Sequence, residues 1–312
     1  MENVKKTLNG FRLDAELKNV PVSFVNALRR ILLSEVPTVV VTNVQILDNT
    51  TQMTHEMIRH RVEMLPINVR ADETAIVRDT KIELRFMPSP DRRTVTSDDF
   101  VINGPRKNVL LRDRELDKPL LFMYLNPNES LHIKATIGIE TKNVSQVCVS
   151  TFKNHIDPDR AAEEKEEFVR KGGNPKVFDN FNSQRSYAVD ENGRPYWFDF
   201  GVESIGVAPA ADLIKKAVGV LQEKIVEWCK IPVQRDSEGG FSIESTEGHT
   251  LGYLVQEMMY RAGMVDSVSY AIPHPLESRM VVRFTTKLRP DAIVDRFRAE
   301  AVALCESILK SV

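Results

Sequence analysis

The stretch from Pro209 to Cys229 constrains the fold more than any other part of the chain. Its apolar residues Ala210, Leu213, Ile214, Ala217, Val218, Leu221, Ile225 and Trp228 recur at steps of three and four through five turns. That is the period of one helix face, and a face so wide needs other apolar surface to cover it. Val220 and Val226 broaden it beyond a narrow stripe. A second long helix is predicted over 290–309. Ile293, Phe297, Ala301, Leu304, Cys305 and Ile308 form one side, and Val294 and Val302 lie off it. The pattern leaves two readings open for this excess: one ordinary core, or helix on helix between two units, as in a dimer.

A repeated order of elements bears on that choice. Phe11, Leu13, Ala15 and Leu17 alternate with polar residues and predict a half-buried strand. Pro21 and Ser23 open a helix, with Ser23 as its N-cap and Phe24, Ala27, Leu28, Ile31 and Leu32 on its apolar face. Pro37 ends it, because the residue before a proline is pushed from helical angles. Tyr196 to Val202 then alternate as a strand before the 209–229 helix. The last 72 residues repeat this order. Phe241 and Ile243 predict a strand, Leu251 to Met259 a helix, Met280 to Phe284 a strand, and 290–309 the final helix. Strand–helix–strand–helix therefore occurs twice, an α+β order unlike the regular alternation of a doubly wound sheet.

Between the halves of the first copy lies a mixed stretch, 48–195. Ile82, Leu84 and Phe86 alternate, as do Leu131 to Ile139, with polar loops and short strands over 89–118. Residues 153–195 are poor in apolar groups. Asp157-Pro158 can cap a short charged helix over 160–171, which Gly172-Gly173 would stop. Pro232 to Gly240 is a candidate linker. The expected division is 1–47 with 196–231 as a larger module, 48–195 as an inserted domain, and 232–312 as a smaller module.

The residues offer little chemistry. Lys and Arg number 42 against 44 Asp and Glu, so the net charge of -2 argues against a surface built to grip nucleic acid. No apolar run approaches the ~18 residues of a membrane span, and the first residues lack a signal-peptide core. Cys148, Cys229 and Cys305 are dispersed, which excludes a disulfide framework and points to a reducing compartment. His55 and His60 sit in a run like a zinc-protease helix, with Glu56 between them. They are five apart, so at ~100° per residue they point about 140° from each other, and the metal-dependent hydrolase reading fails. There is no phosphate loop and no nucleophile elbow. No carboxylate cluster is apparent that would hold the ions of nucleotidyl transfer. No catalytic residue, metal or cofactor is expected.

Two stretches resemble a known family. Val22 to Thr38 contains Asn26-Ala-Leu-Arg29-Arg30 and Pro37, and His60-Arg61 to Leu65-Pro66-Ile67 follows it. Phe198-Asp-Phe-Gly-Val202-Glu203-Ser204-Ile-Gly206 resumes the likeness. These resemble the larger alpha-like assembly subunit of RNA polymerase, the third subunit of the eukaryotic enzyme or archaeal D. Glu247-Gly-His249-Thr250-Leu251-Gly252-Tyr-Leu254 and, some twenty residues on, Ala271-Ile-Pro273-His274-Pro275-Leu276-Glu277 resemble the smaller partner, the eleventh subunit or archaeal L.

The resemblance implies a fold and a role. Two alpha-type dimerisation modules would stand in one chain, the first interrupted by an inserted mixed α+β domain. They would dock on each other through Leu28, Leu32, Leu213, Leu221, Ile225, Leu254, Met258, Phe297 and Leu304. The chain would be a non-catalytic scaffold of a DNA-directed RNA polymerase. Asn26, Arg29 and Arg30 would bind the second-largest subunit, and His249, Thr250 and His274 the largest. A small tenth- or twelfth-type subunit would be a further partner, and DNA would be met only through the complex, with no membrane. As residues alone, Arg29 and Arg30 could also form a solvated helix face, and Pro273-His274-Pro275 could be only a rigid turn. Fusion of the two partners resembles large cytoplasmic DNA viruses. That implies an intracellular protein of the virion and host cytoplasm, with the nucleus as alternative. The competing function is a free-standing nucleic-acid-binding or transcription-regulatory protein built on the same modules.

Overall fold

The structure is a computed structural model that describes residues 1–141, 147–236 and 239–312. The chain opens with β1 (Glu2–Thr7), β2 (Arg12–Lys18), α1 (Val22–Ser34), β3 (Thr38–Asn49) and α2 (His55–Glu63). Next come α3 (Thr74–Asp79), β4 (Lys81–Phe86), β5 (Arg93–Thr96), β6 (Val101–Asn103), β7 (Leu121–Leu125) and β8 (Leu131–Glu140). After β9 (Cys148–Asn154), α4 (Pro158–Arg170) and the one-turn α5 (Pro175–Val177) lie β10 (Trp197–Ser204) and α6 (Ala210–Cys229). The last elements are β11 (Gln234–Arg235), β12 (Phe241–Ser245), α7 (His249–Arg261), β13 (Ser267–Ala271), β14 (Met280–Thr285) and α8 (Pro290–Ser311). The α+β class agrees with the expectation.

Two compact units result. The first comprises Met1–Ile31, Ser150–Val202 and Ile214–Val312. It holds a sheet of order β1-β2-β10-β9 and another of order β11-β12-β14-β13. Alternation sets the inner face of the first sheet: Leu13, Ala15 and Leu17 of β2 and Phe198, Phe200 and Val202 of β10 are buried. The face of α1 made by Phe24, Ala27, Leu28 and Ile31 is buried too. In the second sheet, β12 and β13 both pair antiparallel with β14, as in Ile243 with Val282 and Tyr270 with Val282.

The second unit comprises Leu32–Val149 and Glu203–Leu213. Its sheet has the order β3-β8-β4-β6, with a separate β5-β7 pair. Ile82, Leu84, Ile133 and Ile137 line a core that α2 covers with Ile58 and Val62. Phe100 and Phe122 meet edge to face at 5.2 Å inside it. Compactness therefore divides the chain at other points than its hydropathy pattern does. Residue 47 lies inside β3, which pairs with β8 from Thr38–Glu140 to Asn49–Leu131, so the strand stays whole with its sheet.

Several local expectations need correction. Ser23 is not an N-cap: it lies in α1, is buried, and its hydroxyl has no partner. The 232–240 stretch is not all linker, since Gln234 and Arg235 pair with Ser242 and Phe241; residues 237 and 238 of it lie outside the described residues. Besides β11, the strands β1, β9 and β13 had little sequence signal. β1 is almost wholly exposed, and β9 and β13 have few strongly apolar inward positions. Asp98 and Asp99 sit in a 3-10 turn where Thr96 and Asp99 form a capping box, which explains that acidic pair structurally.

Candidate protein-protein interface

The apolar residues expected at a module seam can be followed one by one. Leu28, Leu32, Leu213, Leu221, Ile225, Leu254, Met258 and Phe297 are buried. Leu304 is only half-buried and lines a groove with Asn19, Pro21, Met258 and Arg261. Trp228 of α6 meets Phe297 of α8 edge to face, with ring centroids 5.7 Å apart at 82°. Both rings are withdrawn from water, so the pair adds a directed contact to the area they bury. Lys224 of α6 reaches Glu247 ahead of α7 at 2.7 Å. α6 and α8 thus touch through this ring pair, while Val220, Val226 and Val302, which widen their apolar faces, are only half-buried.

A second contact joins α1 to α7. The Arg30 guanidinium donates to the Thr250 hydroxyl at 2.7 Å. The amide of Ser23 donates to Glu257 at 2.8 Å. A carboxylate from another helix therefore meets a free amide at the start of α1, where the helix dipole favours negative charge. Asn26 and Arg29 share a face, as a spacing of three requires: the Asn26 amide oxygen accepts from Arg29 Nε at 3.1 Å and Nη2 at 3.0 Å. Asn26 and Arg29 are half-buried and Arg30 is exposed.

His249 begins α7, with Nδ1 at 3.4 Å from the Tyr270 hydroxyl and its ring edge-on to Tyr270. His274 is exposed in the β13–β14 turn and accepts the Leu276 amide at 3.2 Å. Leu276 beside it is 89% exposed. The structure thus brings Arg30 to Thr250.

Sequence reasoning missed Glu257, Arg261 and Asp190, which form ion pairs and hydrogen bonds around this contact. It also missed one group in which metal-ligating atoms converge, the only one among the described residues: Glu16, His155 and Asp199, within 4.8 Å of one another. They come from β2, the end of β9 and β10, so no local spacing could have shown it. Each already has a partner. His155 Nδ1 lies 2.6 Å from Asp199, Glu16 accepts from Trp197 Nε1 at 3.0 Å, and the Lys153 ammonium stands 3.4 Å from Asp199. With His155 stacked on Trp197 at 3.9 Å, the group reads as a satisfied network on the outer face of the sheet.

The helix with His55 and His60 leaves both rings exposed, five residues apart. Burial pushes the thiols of Cys148, Cys229 and Cys305 up to about 12, so they stay protonated and are poor nucleophiles or ligands. Among the described residues no helix is long and apolar enough to cross a membrane.

Comparison with known proteins bears on what the paired modules are. Residues 15–225 match the family model described as the RNA polymerase Rpb3/Rpb11 dimerisation domain, and residues 241–311 match a second model of the same description. A "Conjugation stage-specific protein" of Tetrahymena thermophila is 23% identical over 77% of this chain and 98% of its own length. The "DNA-directed RNA polymerases II, IV and V subunit 3" of Arabidopsis thaliana is 26% identical over 67% of this chain and 84% of its own. "DNA-directed RNA polymerase subunit Rpo3" of Aeropyrum pernix is 28% identical over 41% of this chain, which spans about half (49%) of that archaeal relative.

Proposed function

Because the chain belongs to the RNA polymerase Rpb3/Rpb11 dimerisation-domain family and carries two such domains, we propose that it is a non-catalytic assembly subunit of a multisubunit DNA-directed RNA polymerase. The observation that carries this reading is that both domains stand in one chain, with Arg30 of the first bonded to Thr250 of the second. What is a heterodimer of separate subunits in the resembling enzymes is here held together covalently. A fused partner is always present at high effective concentration, so docking needs no second chain. The larger module is the one expected over 1–47 with 196–231, less β3, which stays with the sheet of the interrupting segment, and the smaller is 232–312.

In this account the docked pair is the platform on which the two largest, catalytic subunits assemble. Asn26, Arg29 and Arg30 meet the second-largest subunit, and His249, Thr250 and His274 meet the largest. Arginine suits the task because its planar, multidonor end gives directional bonds at a protein interface. A small tenth- or twelfth-type subunit also docks, and DNA is met only through the complex. The metal-binding carboxylates for nucleotidyl transfer come from other chains. Fusion alone supports an origin in a large DNA virus, with the chain in the virion and the host cytoplasm.

Co-expression with the second-largest subunit tests the platform. The Arg29→Glu/Arg30→Glu double variant reverses two charges on good helix formers and should fold. Loss of a desolvated charge pair at an interface costs ~2–5 kcal/mol, so capture should fall by orders of magnitude. Thr250→Val, which leaves Arg30 in place, reports how much of any effect comes through the Arg30–Thr250 bond. Capture by the double variant at the wild-type level in high salt would place the docking edge elsewhere.

A further inference from the structure

The excursion 155–195 leaves β9 and returns to β10, and those strands are neighbours in the sheet. Its base is closed by the His155 amide on the Trp197 carbonyl at 2.9 Å. From there the segment folds on itself. Asp157 caps α4, Arg160 donates to the Tyr187 carbonyl, and the buried Ser186 hydroxyl donates to Glu164. Isolated bridges pair Ile156 with Tyr187 and Val189 with Pro195. The excursion has only a small apolar core, Phe168 against the buried Phe178 with centroids 5.7 Å apart, and its bonds elsewhere point to what it does.

Those bonds lead to the last turn of α7. The tip of the excursion is a turn in which one oxygen of Asp190 accepts the amides of Asn192 and Arg194 at 2.9 and 2.8 Å. Gly193 takes the left-handed conformation the turn needs, at φ +73°. The other Asp190 oxygen is left to accept from Arg261 Nη2 at 3.2 Å. Arg261 is 18% exposed, and its Nη1 lies 3.7 Å from Glu257. Glu257 in turn accepts the Ser23 amide of α1. On the same side the Arg194 guanidinium lies over the Tyr260 ring at 5.4 Å. Three segments distant in sequence therefore meet at one helix turn, and Arg261 is the link between two carboxylates.

We propose that 155–195 is a strap whose 190–194 turn grips the last turn of α7 and holds the smaller module in its docked position, with Asp190 as the positioning residue acting through Arg261. The partner it fits is the C-terminal end of α7 in this same chain. The strap stands on these contacts and does not depend on the polymerase reading. Asp190 is doubly suited, since one oxygen shapes the turn while the other meets the guanidinium. The adjacent amides and Arg261 also keep its carboxyl below its usual range, so it is charged at neutral pH.

Hydrogen exchange on the intact full-length chain tests this. Asp190→Asn keeps an oxygen for the turn amides but removes the charge, whereas Asp190→Ala removes both. Both variants and Arg261→Met should speed exchange in α7 and β13 by about five- to tenfold, within the range of coupling between contacting groups. Exchange in β2 and β10 should stay at the wild-type rate. The Asp190→Asn/Arg261→Met double variant should exchange no faster than the faster single one, because both remove the same link. Wild-type exchange in α7 for Asp190→Asn and Asp190→Ala would overturn the strap. Equal acceleration in β2 and β10 would also overturn it, since Asp190 would then be a general stabiliser.

Discussion

Removing the Phe297 ring should weaken the packing of α8 on α6 more than any surface change. Phe297 is fully buried, and the residues a turn either side, Ile293, Val294 and Ala301, are buried as well. Trp228 closes the remaining side edge-on. A void opened there is walled by two regular helices that cannot collapse into it without shifting along their length. Phe297→Ala should therefore cost ~3–5 kcal/mol, the range for burying a cavity in place of an aromatic ring. Of this, ~0.5–1.5 kcal/mol belongs to the ring pair. Phe297→Leu, which refills most of the volume, should cost about 1 kcal/mol. Urea unfolding followed by tryptophan fluorescence suits the assay, because the chain has only Trp197 and Trp228 and the second is a direct reporter. With a urea slope of ~2–3 kcal/mol/M, Phe297→Ala should lower the midpoint of the Trp228 transition by about 1–2.5 M. A loss below about 1 kcal/mol would mean that the site relaxes freely, and that the α6–α8 seam is not closely packed.

Gly252 in α7 should not tolerate a methyl group. An added Cβ would stand 2.5 Å from Tyr270 Cδ2 and 2.7 Å from Met280 Sδ, so Gly252→Ala should destabilise by ~1–3 kcal/mol despite its better helix propensity; a stabilised protein in thermal melts would refute that. The packing of α4 should weaken in acid. The Ser186 hydroxyl first, and Arg160 next, hold the Glu164 carboxyl below its ordinary value of 4.5. A depressed folded pKa means the contribution is complete above that ordinary value and is lost as pH falls through the folded one. Exchange protection of α4 should drop over that acid range, and Glu164→Gln should flatten the drop; identical pH profiles would refute the assignment.

Long-period features were legible in the sequence. The steps of three and four in α6 and α8 placed both helices, and alternation placed β2 and β10, because each buries one clean face; β14 was placed by Met280, Val282 and Phe284, although Val281 on its other face is buried as well. β1, β9 and β13 were hidden because edge strands carry polar residues on both faces and are held by backbone pairing. At the candidate interface, the sharing of a face by Asn26 and Arg29 follows from helix geometry. The meeting of Arg30 with Thr250 does not, since 220 residues separate them. Glu257, Arg261 and Asp190 gave no signal for the same reason: each looks like an ordinary solvated charge until the fold brings the three segments together.

Purification of the tagged chain from its native source, under salt that disrupts weak surface contacts, tests the assembly role most directly. The account predicts that both catalytic polymerase subunits are recovered with it in equal molar amounts, and that the complex extends RNA on a DNA template. Recovery of the chain alone, or with nucleic acid but without large subunits, would contradict it.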